Sequence, residues 1–351
     1  MPETDIRPPE TVASEAPAPA RQDWRRLLPG FLISAVSLGV VFYLAKPQRM
    51  VEALRQADYR LVLSGGVITL VWLVVRAMAW RTLLQEKVTF RQSFFTLTEG
   101  YLLNNFLPFR LGEVGRAYLL GRKSGLGFWR VLSSILLERA LDVLLAVALL
   151  LGTLPFVAGM TSTRGAALGM GGVVLVGMIT LYAIARYPDK FMRLFERLTS
   201  RWGFLSRLGK QVLPSFLSGL QVLTEPGRFL RAGAWFLLNI SVAIVQFTIL
   251  LLAFFPHARA LWAIFCLAVS SLGVALPSSP GGLGVFEGAV VGALAVFHLD
   301  SSKALTYAFT MHFWNYIVTG LLGSYALAHD GESILHLYDQ VRRVRKDEGQ
   351  S

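Results

Sequence analysis

The chain has 351 residues, 54% hydrophobic and 16% charged, with mean hydropathy +0.52 and net charge +12. Soluble domains carry about a quarter charged residues, so the composition excludes a soluble globular enzyme and points to an all-α polytopic membrane protein. No soluble basic domain carries the positive excess, which excludes nucleic acid as a partner and leaves Lys and Arg to mark cytoplasmic loops and anionic lipid surfaces.

Residues 1–22 are rich in Pro, Ala and Glu and read as a disordered cytoplasmic N-terminus. They are not a signal peptide, because no apolar core follows a basic start. The membrane domain is then 23–330, followed by a basic cytoplasmic tail, 331–351. Apolar runs at about 27–45, 60–81, 130–154, 166–186, 231–255 and 303–328 approach or exceed the roughly 20 residues that cross a bilayer, giving about six full spans. Two further apolar stretches, about 92–121 and 260–298, are broken by Pro and Gly. They are expected to be re-entrant hairpins; the plainer parse makes them ordinary spans.

The first break runs Leu107-Pro108-Phe109-Arg110-Leu111-Gly112-Glu113, and the second Leu276-Pro277-Ser278-Ser279-Pro280-Gly281-Gly282-Leu283-Gly284 with Glu287 beyond. Each is Leu-Pro, a Gly-containing turn, then a Glu. Non-helical backbone at membrane depth survives only when buried in protein or lining a cavity. A matching pair of broken segments in two halves points to a transporter's substrate site, and the order span, span, hairpin, span in each half suggests an inverted repeat.

The basic residues set the orientation. Arg25, Arg26, the 187–230 segment and the C-terminal tail all fall on the cytoplasmic side, with both termini. The 46–60 loop, with Lys46, Arg49, Arg55 and Arg60, disagrees and is outvoted. Residues 189–212 carry apolar side chains at helical spacing among Arg and Lys, as expected of an amphipathic helix on the membrane surface.

Charged residues at membrane depth cost at least about 2.5–3.5 kcal/mol each on insertion scales and normally pair or face water. Arg76 is read as snorkelling to the cytoplasmic surface. Glu138, Arg139 and Asp142 share one region of a helix. An internal Arg139–Asp142 pair leaves Glu138 wanting a partner, which Arg76, Arg110 or Arg116 can supply. Asn104 and Asn105 precede the first break. A helix restarting near Gly112 aims free N–H groups at a phosphate, beside Arg110 and Arg116. Glu113 is placed to pair with Arg116 at i,i+3. In the second break, Ser278 and Ser279 are candidate caps, Gly281 and Gly282 allow close backbone approach, and Glu287 follows one turn in. His312 lies inside the last span. No phosphate-loop motif and no His/Cys metal spacing occurs, so neither cofactor nor metal is expected.

At these motifs the chain resembles the lysylphosphatidylglycerol synthase transmembrane region family, also described as flippase-like membrane proteins. The resemblance rests on Asn104 through Glu113 with Arg116, on Glu138-Arg139 with Asp142, and on Pro277 through Glu287. It covers most of 27–328. It implies a multi-helix domain of the bacterial inner membrane that moves or handles an anionic phospholipid or a polyprenyl-linked lipid. It also implies a separate lipid synthase as a partner: fused relatives carry a soluble synthase, whereas about 20 residues follow the last span here. The family often has Arg where this chain has His312, so a pH dependence is an added expectation. The rival expectations are a membrane lipid-modifying glycosyltransferase, whose paired carboxylates would do acid–base work, and a non-transporting scaffold.

Overall fold

A computed structural model describes residues 47–107, 110–157, 163–199, 209, 213–214, 217, 220, 224–275 and 280–331. The expected span at 27–45, the N-terminal 1–22 segment, most of 200–223 and the tail from 332 onward lie outside the described residues. What is described is all-helical: α1 Pro47–Gln56, α2 Tyr59–Leu83, α3 Phe90–Phe106, α4 Leu111–Ser124, α5 Phe128–Val157, α6 Thr163–Arg186, α7 Pro188–Thr199, α8 Pro226–Phe254, α9 Ala260–Ala275, α10 Val285–Ala295 and α11 Ser301–His329.

Local chemistry sets the helix ends. Asp58 accepts from the Arg60 and Leu61 amides to open α2. Thr89 and Gln92 form a reciprocal capping box on α3. Asp300 accepts from the Lys303 amide to start α11. α3 ends at Leu107, whose backbone is extended, as the following Pro108 demands. The α6–α7 chain bends by 98° between Arg186 and Pro188, because a proline cannot continue the helix before it.

Three helices, α2, α5 and α8, are long and apolar enough to cross a membrane, and the bent α6–α7 pair makes a fourth if taken as one span. The count of six full spans is therefore not reached among the described residues. α11 is a continuous 29-residue helix over the expected 303–328 span, but it is less apolar, interrupted by Lys303, His312 and Asn315. The amphipathic 189–212 reading is described only over α7, where Leu194 and Leu198 are exposed while Phe191 and Phe195 pack inward.

Both broken stretches fold back on themselves. The arms α3, α4, α9 and α10 have 17, 14, 16 and 11 residues, each under the roughly 20 residues of a typical crossing. In the first hairpin a Cβ on Gly112 would lie 2.1 Å from the Gly100 carbonyl oxygen, so only glycine lets the arms approach this closely. In the second, Trp262 stacks on Phe297 with ring centroids 5.2 Å apart. Neither stretch is one straight span.

The hairpins do not pack on their nearest neighbours in sequence alone. α3 of the first lies along α11, and α9 of the second lies along α5. α4 also touches α5, and α10 touches α11. At the centre α2 packs along α8, joined by Gln246 Nε2 donating to Thr69 Oγ1 at 2.7 Å. The two hairpin tips meet: Arg110 Nη2 donates to the Val274 carbonyl at 2.5 Å.

Candidate functional site

A cavity of about 350 Å³ lies between the two hairpin tips and the helices α2, α5, α8 and α11. One part of its wall is polar, with Arg76, Asn104, Arg110, Arg139, Asp142 and His312. Another is apolar, with Ala146 and Leu149 of α5 facing Ile240, Ala243 and Phe247 of α8.

The polar wall is built around α5. Residues 138 and 142 share a helix face, and both reach Arg76 of α2. Arg76 donates to Asp142 through both terminal nitrogens, at 2.7 and 2.5 Å, and to Glu138 Oε1 at 2.6 Å. A guanidinium fork fits a carboxylate in this way because its N–H groups are planar and parallel. Arg76 is 3% exposed, so the snorkelling expectation is corrected. The helix runs on through Leu83, and the ring centroids of Trp72 and Phe236 lie 5.9 and 5.7 Å from the guanidinium carbon.

Arg116 donates to the other Glu138 oxygen at 2.9 Å and stacks 4.1 Å from the Trp80 ring centroid. Glu138 thus finds two of the partners the sequence offered it. The expected Glu113–Arg116 pair is not made. Glu113 instead meets Arg110 at 3.3 Å and Arg139 at 2.9 Å, because α5 packs against α4 and brings Arg139 closer. Arg139 also lies 3.2 Å from Asp142. Four guanidinium groups therefore face three carboxylates, Glu113, Glu138 and Asp142, an excess of one positive charge. The Nε atoms of Arg76 and Arg116 have no acceptor among the described residues.

The first tip is strained. Arg110 adopts a left-handed backbone at φ 55°, ψ 34°, rare for a residue with a side chain. The Gly112 amide is not left for a ligand, because it donates to Asn104 Oδ1 at 2.8 Å. Asn105 turns to Thr319 of α11 at 3.0 Å.

The second tip is held by glycine. Gly281, Gly282 and Gly284 all have positive φ. A Cβ on Gly281 would lie 1.6 Å from the Tyr316 hydroxyl, an oxygen without a partner among the described residues. Glu287 is fully buried. One oxygen accepts from the Gly284 amide at 2.7 Å and the other lies 2.5 Å from His312 Nδ1. Ser278 and Ser279 lie outside the described residues; Gly284 stands at the N-cap, its amide satisfied by Glu287.

Of the expected site residues, Asn104, Asn105, Arg110, Glu113, Arg139, Asp142, Gly281, Gly282 and His312 line the cavity. Arg116, Glu138 and Glu287 do not line it and act through their partners. Sequence reasoning missed Arg76 as a site residue, and also Tyr101, Asn239 and Gln246 on its walls. The signal for Arg76 was present: a lone charge deep in an apolar run, one turn from a Trp on either side.

The sequence profile described as Lysylphosphatidylglycerol synthase TM region matches residues 27–323. A UPF0104 membrane protein of Methanothermobacter thermautotrophicus is 25% identical over 331 residues, covering 89% of this chain and 95% of that protein. A UPF0104 membrane protein of Methanocaldococcus jannaschii is 24% identical, covering 63% of this chain and 91% of its own length. A protein named Glycosyltransferase AglD, from Haloferax volcanii, is 25% identical over 74% of this chain, and the match spans 47% of that protein. No solved structure matches.

Proposed function

The chain belongs to the lysylphosphatidylglycerol synthase TM region family and is an integral multi-pass membrane protein; from that premise we propose that it is a lipid flippase or lipid-handling transporter. An anionic lipid headgroup enters the cavity between the hairpin tips while its acyl chains follow the apolar wall. The observation that carries this reading is the cluster of four guanidinium groups around Glu113, Glu138 and Asp142, set beside an apolar lining. A phosphodiester suits that cluster, because guanidinium forks match its oxygens. In this reading Arg110, Arg76 and Arg139 meet the headgroup, Asn104 and Asn105 orient the tip, and Gly281 and Gly282 give it room.

Two hairpins, each lying along the long helix of the other half, support an inverted repeat. The proposal places 23–330 in a cytoplasmic membrane with both termini inside, and a phospholipid or polyprenyl-linked lipid as substrate. A separate lipid synthase is its natural partner.

The name of the Haloferax relative raises a second reading, sugar transfer on a lipid. Carboxylates doing acid–base work need freedom to exchange protons, whereas Glu113, Glu138 and Asp142 are each held by arginine. This favours binding over catalysis.

The test is lipid movement in proteoliposomes with labelled phosphatidylglycerol and a neutral lipid. Wild type should move the anionic lipid faster, and Arg110→Ala should abolish the difference while the protein still inserts. Equal movement by Arg110→Ala would sink the cavity reading. Release or transfer of sugar from a lipid-linked donor would favour the second.

A further inference from the structure

The two hairpin tips repeat one arrangement with one change. Glu113 is the third residue of α4, and Glu287 the third of α10. Each carboxylate reaches a basic side chain at the same place in the next long helix, eleven residues after its first: Arg139 counted from Phe128, His312 counted from Ser301. The contacts are 2.9 Å and 2.5 Å. The first basic group is permanently charged. The second is a histidine, the side chain whose ordinary titration falls between about pH 5 and 8.

We infer that the Glu287–His312 pair is a proton site, and that occupying it supplies the positive charge that an anionic headgroup neutralises. This rests on the anion-binding reading above. With His312 neutral, Glu287 cancels the one-charge excess of the arginine cluster, and the site as a whole carries no net charge. Nδ1–H donates to Glu287, leaving Nε2 with a lone pair. A proton taken up from the bulk buffer through the cavity forms the Nε2–H bond, the imidazolium stays paired with Glu287, and the site carries one positive charge. A phosphodiester then restores neutrality. Uncompensated charge at membrane depth is expensive, so proton and anion each favour the other's binding, and by the same factor.

The surroundings allow this. His312 lines the cavity and is reachable, whereas Glu287 is sealed behind it. Phe286 lies 4.5 Å from the imidazole by centroid, and Tyr316 lies 5.4 Å away on α11. α8 and α9 contribute no titratable side chain to the cavity wall. Across the cavity stand Arg76 of α2, Tyr101 of α3, Arg110 and Glu113 of the first tip, and Arg139 and Asp142 of α5. Every carboxylate in that group is already held by arginine, so His312 is the one charge-switching base in the wall among the described residues.

The experiment is titration of the full purified chain in detergent with dihexanoyl-phosphatidylglycerol at about pH 6 and about pH 8, in two buffers of different ionisation enthalpy. Wild type should bind at least about fivefold more tightly at the lower pH and take up about one proton per anion. His312→Arg should bind tightly at both pH values, and His312→Gln weakly at both. Wild-type binding with no pH dependence and no proton uptake would overturn the inference while leaving the anion site standing. No binding at either pH would overturn the anion reading itself. Should His312→Arg fail to fold, His312→Gln and the wild-type proton count still decide.

Discussion

Arg76 is the residue on which the polar wall depends. It holds Glu138 and Asp142 together, and Glu138 is fully buried. Removing one partner of a buried ion pair leaves its mate uncompensated, at about 3–5 kcal/mol. Arg76→Ala should therefore lower the thermal unfolding midpoint in detergent sharply. Arg76→Lys should retain part of the stability but lose transport, since a point charge cannot match the fork that grips Asp142. Unchanged melting of Arg76→Ala would mean the cluster is not structural. At Gly281 the constraint is steric and conformational together. Gly281→Ala should displace Tyr316 and lower transport, and adding Tyr316→Phe should recover part of it, because the hydroxyl is the atom in closest conflict. The site was legible in sequence wherever polar residues stood beside Pro or Gly, as at Asn104 to Glu113. Clustered polar groups inside unbroken helices were also singled out, as at Glu138, Arg139, Asp142 and His312, but the lone Arg76 near a helix end was read as an anchor. Nor could spacing along α4 reveal that Glu113 would choose Arg139 on another helix over Arg116 on its own.

At the scale of elements, the first hairpin is set by a glycine facing backbone. Gly112→Ala drives a methyl into the Gly100 carbonyl, with no flexible side chain to give way. The first hairpin should splay, and proteolysis near residue 107 should accelerate relative to wild type. Outside the cavity a second ionic tie joins three helices: Lys123 at the end of α4 reaches Glu99 of α3 at 3.0 Å and also pairs with Asp330 after α11. Burial would raise Asp330, but hydrogen bonds from Lys123 and His329 outweigh it and hold the carboxyl at about 2. That value is below the ordinary aspartate value of about 3.9. The contribution is therefore present above the ordinary value and is lost as pH falls towards about 2. Asp330→Asn should flatten the stability curve between about pH 4 and about pH 2; an unchanged slope there would remove Asp330 from the tie. The two breaks were readable from Pro and Gly alone. The bend after Arg186 was not, although Pro188 marks it, because the apolar run and the amphipathic run were read as separate elements.

For the whole molecule, composition was enough to declare a membrane-embedded helical protein, and the family match agrees. Hydropathy counted α11 with the spans because apolar residues run along most of it; its polar groups serve other helices, with Trp314 Nε1 donating to the Val62 carbonyl at 2.7 Å and Thr319 accepting from Asn105. No pattern within one helix announces such partners. The same holds for the exchange of hairpins between halves, which depends on contacts between segments far apart in the chain. That exchange has a consequence in time. The second hairpin finds α5 already made when it emerges, but the first must wait for α11, about 180 residues later. Gly323 follows Leu102 by about 220 residues, so at ~5–20 residues per second of synthesis the α3 face that will receive it stays without its partner for roughly 11–44 s. During that interval the nascent chain needs either lipid or an insertion factor against Thr98 and Leu102, the two residues that Gly323 finally covers.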